Sequence, residues 1–323
     1  MKRLSGIAYS WQAEFGNNFA GRRILVTGAT GFIGWHLCSS LVALDAEVHG
    51  LSRSADAAKM APGCQAWAVN LSDIKAVRSA IAHIQPQLIY HLAGLVTARQ
   101  ELDLVLPMLE NNLVGTVHLL QAVAETGGSP IVVASSSEEL SATSLDRTPN
   151  SPYATAKTAG TMYARMFHKV YNLPVTVAQL FMSYGPRQAS TKLIPYAIGA
   201  FLRGENPQLS SGDRVCDFVY VGDIVRGLLK AGIYPNLSGQ TVALGTGKGT
   251  RIREVIELIA ELLGSPIKPE FGAMRDRIGE QPQVADITTW QMLDWQPLWQ
   301  LQDGLIETLA WYRKHEENQN GTS

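Results

Sequence analysis

Short apolar runs alternate with helically spaced apolar positions through the first half of the chain. Continuous apolar runs between turn residues are typical of strands buried on both faces of a parallel sheet. The predicted strands are residues 23–27, 47–51, 87–92 and 130–134, with two later ones at 175–180 and 241–244. The predicted helices are residues 32–44, 73–84, 107–126 and the strongly amphipathic 251–263. This alternation predicts an α/β fold built on a doubly wound parallel sheet.

Composition narrows the class of protein. The 323 residues are 46% hydrophobic, which allows a substantial core, and the formal net charge of -1 gives no overall field for nucleic acid or an anionic membrane. No stretch of about 18 apolar residues is present. The start of the chain has no apolar segment of the kind that signal peptides carry. The cysteines are odd in number and lack metal-ligand spacing, so we expect no metal site and a cytoplasmic location; they are Cys38, Cys64 and Cys216.

A glycine-rich loop follows the first predicted strand and opens a helix. Its glycines, Gly28, Gly31 and Gly34, permit a tight turn and close approach of a pyrophosphate to backbone N–H groups at the helix start. Because the strand–loop–helix context is correct, the loop predicts a Rossmann-type dinucleotide site. The same loop places Thr30, Phe32 and Ile33 in the predicted cofactor site.

The end of the second predicted strand indicates which dinucleotide binds. NAD-specific proteins carry an acidic residue about 20 positions beyond the loop, on the ribose 2′-hydroxyl. Here Ser52 and Arg53 occupy that place. A hydroxyl and a guanidinium suit a 2′-phosphate, so we predict NADP and consider NAD the less favoured cofactor; the alternative is that Arg53 is only a solvated loop charge.

Two groups of residues are candidates for proton transfer. Tyr153 and Lys157, four residues apart at a predicted helix start, share one helix face, and a nearby ammonium stabilises a phenolate. Ser135 to Glu139 directly follow a predicted strand, at the edge where doubly wound folds bind ligands. Each pattern alone also fits an ordinary surface pair or a helix cap.

Taken together, these motifs resemble the extended short-chain dehydrogenase/reductase family, the NAD(P)-dependent nucleotide-sugar epimerases, dehydratases and 4-ketoreductases. The resemblance spans about residues 22–315. Its motifs, in chain order, are residues 26–34, His91–Gly94, Asn112–Thr116, the serine run, Tyr153–Lys157, Tyr184–Gln188, Asp217–Asp223, Leu244–Gly247, Arg277–Glu280 and Ala285–Asp286.

The resemblance implies a role for most of the candidate residues. Tyr153 would be the acid/base, Lys157 would bind the nicotinamide ribose, and Ser136 would polarise the reacting oxygen, with Ser137 as the alternative. Glu138 would act beside them. Further cofactor contacts are implied at Asn70, Leu71, Leu92, Ala93 and Gly94, and substrate contacts at Arg187, Arg214 and Arg277. The family also commonly pairs through two helices, which implies a homodimer.

The resemblance also implies two domains. Residues 21–186, joined by a strand near 241–245, would form the dinucleotide-binding domain. Residues 1–20 would be an N-terminal extension, and residues 187–323 would be mainly a substrate-binding cap built from segments 187–215 and 268–315. Tryptophans near the carboxyl end would pack this cap, with carbohydrate stacking as the alternative; they are Trp290, Trp295, Trp299 and Trp311.

Three positions depart from the family pattern. Cys216 stands where an arginine often binds the substrate diphosphate, Met182 replaces an asparagine before Tyr-Gly-Pro, and Ala243 replaces one before Leu-Gly-Thr-Gly. Losing the arginine removes a bidentate phosphate partner. Arg214 or Arg277 is expected to replace it, unless the substrate is not an ordinary nucleotide sugar.

The reaction favoured by these residues is reduction of a 4-keto-6-deoxy nucleotide sugar by NADPH. A 4,6-dehydratase is the nearest alternative, because GDP-mannose 4,6-dehydratases have a glutamate at the position of Glu138. A 4-epimerase is disfavoured by the predicted NADP site. Reduction of a non-sugar ketone, or an NADP-binding sensor without turnover, are the remaining alternatives.

Overall fold

The chain folds around one large parallel sheet. The computed structural model describes residues 9–97, 99–139 and 148–320, with only the backbone described at Pro235 and 316–320. Within them, the strands are β1 (Arg23–Thr27), β2 (Glu47–Ser52), β3 (Gln65–Ala68), β4 (Leu88–His91), β5 (Ile131–Ser136), β6 (Val175–Leu180), β7 (Met182–Tyr184), β8 (Val215–Cys216), β9 (Phe218–Tyr220), β10 (Thr241–Leu244) and β11 (Thr250–Arg251).

Helices connect most of these strands. In chain order they are α1 (Trp11–Phe15), α2 (Phe32–Ala43), α3 (Ile74–Ile84), α4 (Val105–Met108), α5 (Gly115–Glu125), α6 (Pro152–Tyr171), α7 (Leu193–Leu202), α8 (Val221–Ile233), α9 (Ile252–Leu263), α10 (Trp290–Leu293) and α11 (Leu301–Asn320). Short 3₁₀ turns lie between several of them. None of the described helices is long and apolar enough to cross a bilayer.

The large sheet confirms the predicted doubly wound fold. Its seven strands lie in the order β3-β2-β1-β4-β5-β6-β10, and all neighbours are parallel. The order reverses direction between β1 and β4, and doubly wound sheets bind ligands at the carboxyl ends of the strands beside such a switch point. Thr27 and His91, at the ends of these two strands, are paired in register.

Helices cover both faces of this sheet. One apolar cluster joins the sheet to α2 and α8 through side chains such as Leu37 and Leu228, and another joins it to α3, α5 and α6 through Leu120 and Phe167. These strands are therefore buried on both sides, which explains why they are nearly continuous apolar runs in the sequence.

The N-terminal residues pack on the same body. Phe15 and Phe19 are fully buried in the first cluster, and Glu14 accepts two hydrogen bonds from the guanidinium of Arg226 in α8. Residues 9–20 of the predicted extension are therefore attached to the sheet-bearing part of the molecule.

A third apolar cluster forms the cap. It joins α7, α9 and α11 through Ile198, Ile256 and Leu305, beside the two-stranded pairs β7·β9 and β8·β11. The chain between the two predicted cap segments, residues 216–267, contributes to both parts of the molecule. Its α8 and β10 belong to the large sheet and its covering helices, whereas its α9 packs in the third cluster.

The predicted helix at 107–126 is confirmed, but it contains an irregularity. The chain runs from α4 through a π-helical stretch, Leu109–Val114, directly into α5. Such stretches are rare and frequently occur at functional sites. This one carries Asn112, whose side chain is buried.

Candidate active site

A groove of about 250 Å³ lies along the carboxyl ends of β1, β2, β3 and β4. The predicted cofactor residues found among its lining are Gly28, Thr30, Gly31, Ser52, Arg53, Asn70, Leu71, Ala93 and Gly94. Of the predicted residues outside this lining, Phe32, Ile33 and Leu92 pack against the apolar cluster beneath the loop, whereas Gly34 lies in the first turn of α2 and Tyr153 and Lys157 lie in α6. The groove also contains residues that the sequence analysis did not select: Thr27, Leu51, Val69, Ser72, Leu95 and Asn111.

The glycines of the loop leave room that any side chain would fill. Gly28 has φ +71°, and a Cβ there would lie 2.8 Å from the backbone nitrogen of Ala93. A Cβ on Gly34 would lie 2.1 Å from the carbonyl oxygen of Gly28. The loop can therefore pass close to the neighbouring strand end, and α2 begins at Phe32 with its N–H groups directed at the groove edge. This cradle fits the pyrophosphate of a dinucleotide.

The end of β2 carries no acidic residue toward the groove. Ser52 donates a hydrogen bond to the carbonyl of Ser54, and Arg53 is exposed at the rim. Among the described lining residues Arg53 is the only charged side chain. The part of the groove at the end of β2 is therefore positive.

The floor of the groove is held by a chain of buried hydrogen bonds. His91 contacts the hydroxyls of Thr27 and Thr116, each at 2.8 Å, and the Thr27 hydroxyl accepts a hydrogen bond from the backbone N–H of Ala93. Burial, together with the nearby charge of Lys157, lowers the pKa of His91 to about 3. The imidazole is thus neutral, and its two nitrogens serve to connect β1, β4 and α5.

Asn112 fixes the loop that follows β4. Its side-chain oxygen accepts from the backbone N–H of Leu95 at 2.6 Å, and its amide donates to the Leu95 carbonyl at 2.9 Å. A Cβ on Gly94 would lie 3.0 Å from the same side-chain oxygen. Asn112 belongs to a motif that carries the family resemblance, but no pattern in the sequence indicated this positioning role.

The predicted proton-transfer residues lie together at the end of β5. The hydroxyl of Tyr153 lies near the side chain of Ser136, the last residue of β5, which acts to lower the pKa of the phenol. One helical turn beyond Tyr153, Lys157 donates a hydrogen bond to the carbonyl of Ala134. The alternative serine, Ser137, instead donates to Gln283 of the cap at 3.0 Å.

Burial opposes ionisation of both catalytic candidates. It raises the pKa of Tyr153, an effect that the Ser136 side chain partly offsets, and it lowers the pKa of Lys157. The carboxylate of Glu139 acts on both groups: it raises the pKa of Tyr153 further and opposes the fall in the pKa of Lys157. Glu139 accepts a hydrogen bond from the backbone N–H of Ser136 at 2.9 Å.

Glu139 is a residue that the sequence analysis missed. It appeared only as part of the serine–glutamate run, and no pattern distinguished it from Glu138. The structure separates the two, because Glu139 turns toward Lys157 and Thr161 of α6 while Glu138 turns toward the cap. Burial raises the pKa of the Glu139 carboxyl.

Glu138 joins a network of charged side chains from the cap. Its carboxylate lies 3.1 Å from the guanidinium of Arg214 and 3.7 Å from that of Arg277. Glu280 pairs with the same two arginines, and Gln283 accepts from Arg214 at 2.8 Å. The Nε of Arg214 is buried without a hydrogen-bond partner among the described residues.

Two of the three predicted substrate arginines are therefore adjacent, and the third is placed differently. Arg187 has φ +67° and lies over the ring of Trp35 in α2, with 4.0 Å between its guanidinium carbon and the ring centroid. A contact of Arg187 with substrate stays a prediction. Cys216 is buried in the cap cluster, close to the charge of Arg214. That Arg214 replaces the guanidinium missing at position 216 stays a prediction.

Known proteins share this arrangement. A UDP-glucose 4-epimerase from Mycolicibacterium smegmatis is 30% identical over 313 residues, covering 91% of this chain and 100% of the relative. A dTDP-4-dehydro-6-deoxy-D-allose reductase from a Streptomyces species is 29% identical, covering 93% and 99%. The crystal structure of Thermus thermophilus UDP-glucose 4-epimerase in complex with NAD superposes with a TM-score of 0.81 at 27% identity, covering 90% of this chain and 98% of that one.

The model of the NAD dependent epimerase/dehydratase family matches residues 24–245, which is more than half of the chain. The matched stretch contains the glycine loop, the serine run and the Tyr153–Lys157 pair. With the parallel sheet and the groove at its switch point, this match establishes that the chain belongs to the NAD dependent epimerase/dehydratase family, the extended short-chain dehydrogenase/reductase enzymes that act on nucleotide sugars.

Proposed function

We propose that this enzyme is an NADP(H)-dependent reductase of a nucleoside-diphosphate 4-keto-6-deoxy sugar. The observation that carries the proposal is the end of β2, where Ser52 and Arg53 line the groove without an acidic residue. A carboxylate there would repel a 2′-phosphate, whereas a guanidinium can pair with it. NADPH is the cofactor that a single reduction consumes.

The residues at the end of β5 supply the proton chemistry. When bound, the nicotinamide provides the hydride, and the protein orients it. Ser136 donates a hydrogen bond to the C4 carbonyl oxygen of the sugar, and Tyr153 delivers the proton to that oxygen. The charge on Lys157, one turn along α6, stabilises the resulting phenolate and binds ribose hydroxyls.

The charged network of the cap supports a nucleoside diphosphate as the anchor of the substrate. Arg214 and Arg277 present two adjacent guanidiniums beside the serine loop. Guanidiniums bind phosphate oxygens in a bidentate manner. A diphosphate can therefore take over contacts that Glu138 and Glu280 make, while the sugar reaches toward Ser136.

The state of Glu138 disfavours the dehydratase alternative. A 4,6-dehydratase needs a free base for the C5 proton and an acid for the departing C6 hydroxyl. Glu138 is instead nearly buried, and its carboxylate is held in ion pairs with two arginines, so it is not free to turn toward the sugar as a base. A 4-epimerase is the second candidate, because the Mycolicibacterium relative carries that name.

We further propose a homodimer in a reducing compartment, the cytoplasm. Exposed apolar side chains cover a face shared by the α4–α5 helix and α6, namely Leu102, Val105, Leu106, Leu109, Met162 and Tyr163. Because the two helices pack side by side, a second copy can bury this face against its own, as the family resemblance implies. The described cysteines are all free thiols, which fits a reducing location.

The decisive experiment supplies a panel of nucleoside-diphosphate 4-keto-6-deoxy sugars with NADPH or NADH and follows loss of the reduced nicotinamide. We expect stoichiometric NADPH consumption with one member of the panel. Interconversion of UDP-glucose and UDP-galactose without net NADPH consumption would replace the proposal with the 4-epimerase.

A further inference from the structure

A second cavity, of about 260 Å³, lies outside the candidate active site. It sits between the loop after β10 and the segment that leads into α11, and it shares no lining residue with the cofactor groove. Three of its walls are aromatic: Phe218, Trp290 and Trp299. The function proposed above makes no use of this cavity.

The loop that forms one side of the cavity is rigidly held. The buried carboxylate of Asp217 accepts hydrogen bonds from the backbone N–H groups of Thr246 and Gly247, both at 2.8 Å, and from the Thr246 hydroxyl. Lys248 follows directly and donates to the side-chain oxygen of Gln300 at 3.0 Å. The two sides of the cavity are thus bridged at the rim by polar groups.

Trp290 contributes an apolar wall. Its ring lies edge-on to that of Trp295, with 5.7 Å between the two ring centroids. Trp295 is itself held in place, because its indole donates to the carbonyl of Asp223 at 3.2 Å. The aromatic wall is therefore supported from behind.

The chemistry of the cavity restricts its occupant. Among the described residues, no glycine and no arginine lines it, so it lacks the backbone cradle and the guanidiniums that would hold the diphosphate of a dinucleotide or a nucleotide sugar, and it suits a single ring. Its polar groups are hydroxyls and amides, which both donate and accept, and Lys248 is the only charged residue that lines it. No carboxylate lines it.

We propose that this cavity binds a single pyranose ring, with a preference for an acidic one such as a hexuronate. The C–H faces of the ring lie against Trp290 and Trp299, since the electron-rich face of an aromatic ring attracts the positive hydrogens of a sugar. The hydroxyls of the sugar exchange hydrogen bonds with the amide and hydroxyl groups of the lining, which belong to Gln296, Gln300, Thr246 and Thr250. Lys248 pairs with the carboxylate of the acidic sugar.

The test measures binding of D-glucuronate, D-glucose and adenosine to the full-length enzyme by saturation-transfer NMR and tryptophan fluorescence. We expect saturable binding of glucuronate with a Kd on the order of 1 mM, the value that the affinity per atom of small ligands gives for one ring. Glucose should bind several-fold more weakly, and adenosine should not compete. Competition by adenosine, or absence of glucuronate binding, overturns the proposal.

Variants assign the binding to this cavity. Trp299→Ala should remove binding of both sugars, whereas Trp311→Ala should leave it unchanged, because Trp311 stacks on His315 and does not line the cavity. Lys248 is exposed, so Lys248→Glu should fold even if Trp299→Ala does not, and it should abolish the preference for glucuronate over glucose. Unchanged binding in Lys248→Glu contradicts the proposed role of the ammonium, and unchanged binding in folded Trp299→Ala contradicts the site.

Discussion

The carboxylate of Glu138 lies 3.1 Å from the guanidinium of Arg214, with 12% and 7% of the two side chains exposed. The pair joins the loop after the central strand β5 to the cap, so it connects the proposed proton-transfer residues with the proposed diphosphate contacts. Buried pairs of this kind are costly to break, because one partner is left without compensation. If the pair is broken by substituting Glu138, Arg214 still has Glu280 and Gln283 as partners.

Substitution of Glu138 distinguishes the proposed 4-ketoreductase from a 4,6-dehydratase. If the enzyme is a reductase, Glu138→Gln should lower kcat by less than about tenfold and should alter KM for the nucleotide sugar more than kcat, since it changes only the environment of the arginines. If the enzyme is a 4,6-dehydratase, Glu138→Gln should abolish the elimination of water from C5 and C6 of the sugar. The measurement uses deuterated water: deuterium at C5 of a 4-keto-6-deoxy product made by the wild type would contradict the reductase assignment.

Arg53 is expected to select the cofactor. Arg53→Asp should weaken NADP(H) binding by about 1.5–3 kcal/mol, the value of one charge-assisted hydrogen bond, and should leave NAD(H) binding unchanged or improved. Titration calorimetry with each dinucleotide provides the measurement. Lys59→Asp is the matched control, because Lys59 is an exposed cation of the same region that pairs with Asp56 and does not line the groove. Equal affinity of the wild type for both dinucleotides would show that Arg53 does not select.

The sequence was sufficient for six of the seven strands of the large sheet and for much of the groove, for a physical reason. The strand that was not predicted, β3, lies at the edge of the sheet and is only partly buried. Strands buried on both faces are continuous apolar runs, and the glycine loop has a fixed relation to the strand before it and the helix after it. Residues whose role depends on contacts distant in sequence were not predictable. Asn112 acts through Leu95, seventeen positions earlier, and Glu139 differs from Glu138 only in the direction its side chain takes.

The positions of the three arginine side chains were not predictable from the sequence for the same reason. Family position suggested three substrate arginines, but periodicity carries no information about where a long side chain ends. Arg214 and Arg277 meet in the cap because β8 and the 277–283 segment lie side by side, as the backbone hydrogen bond from Gln283 to Val215 shows. Arg187 instead stacks on Trp35, a contact between segments about 150 residues apart.

The proposed dimer face can be tested by charge. Leu106 and Met162 are 66% and 65% exposed on adjacent helices, so burying them against a second copy should be a main source of association energy. Leu106→Glu combined with Met162→Glu should convert a particle of twice the chain mass into one of the chain mass, measured by light scattering after gel filtration. Met274→Glu, an equally exposed methionine of the cap at 59%, should leave the mass unchanged. A wild-type enzyme that is monomeric at all concentrations would exclude this interface.

Tyr153 and Lys157 should differ in what their loss removes. Tyr153→Phe should reduce kcat by about 10²–10⁴-fold, as loss of a general acid does, with little change in cofactor affinity. Lys157→Ala should reduce both activity and cofactor affinity. Tyr163→Phe controls for removal of a hydroxyl from the same helix, since Tyr163 is 42% exposed. Near-normal turnover in Tyr153→Phe would place the proton donor elsewhere.

Glu139 should set the alkaline limit of activity. In reduction Tyr153 must be protonated, so the rate falls as pH rises through its pKa. The Glu139 carboxylate raises the pKa of Tyr153 and opposes the fall in the pKa of Lys157. Glu139→Gln removes the charge but keeps an oxygen that can accept the hydrogen bond from Ser136. Both groups should then lose their protons at lower pH.

The alkaline limb of the pH profile of kcat should consequently move to lower pH in Glu139→Gln, measured with saturating NADPH and substrate. The wild-type and variant profiles should converge at acid pH, because Glu139 is itself protonated there. The pKa of Glu139 is raised, so the two profiles should begin to converge at a higher pH than they would for an ordinary glutamate. Glu138→Gln is the matched control: Glu138 raises the pKa of Tyr153 less than Glu139 does, so its shift should be smaller. A limb that stays in place in Glu139→Gln, or a larger shift in Glu138→Gln, would mean that Glu139 is only a structural partner of the Ser136 backbone.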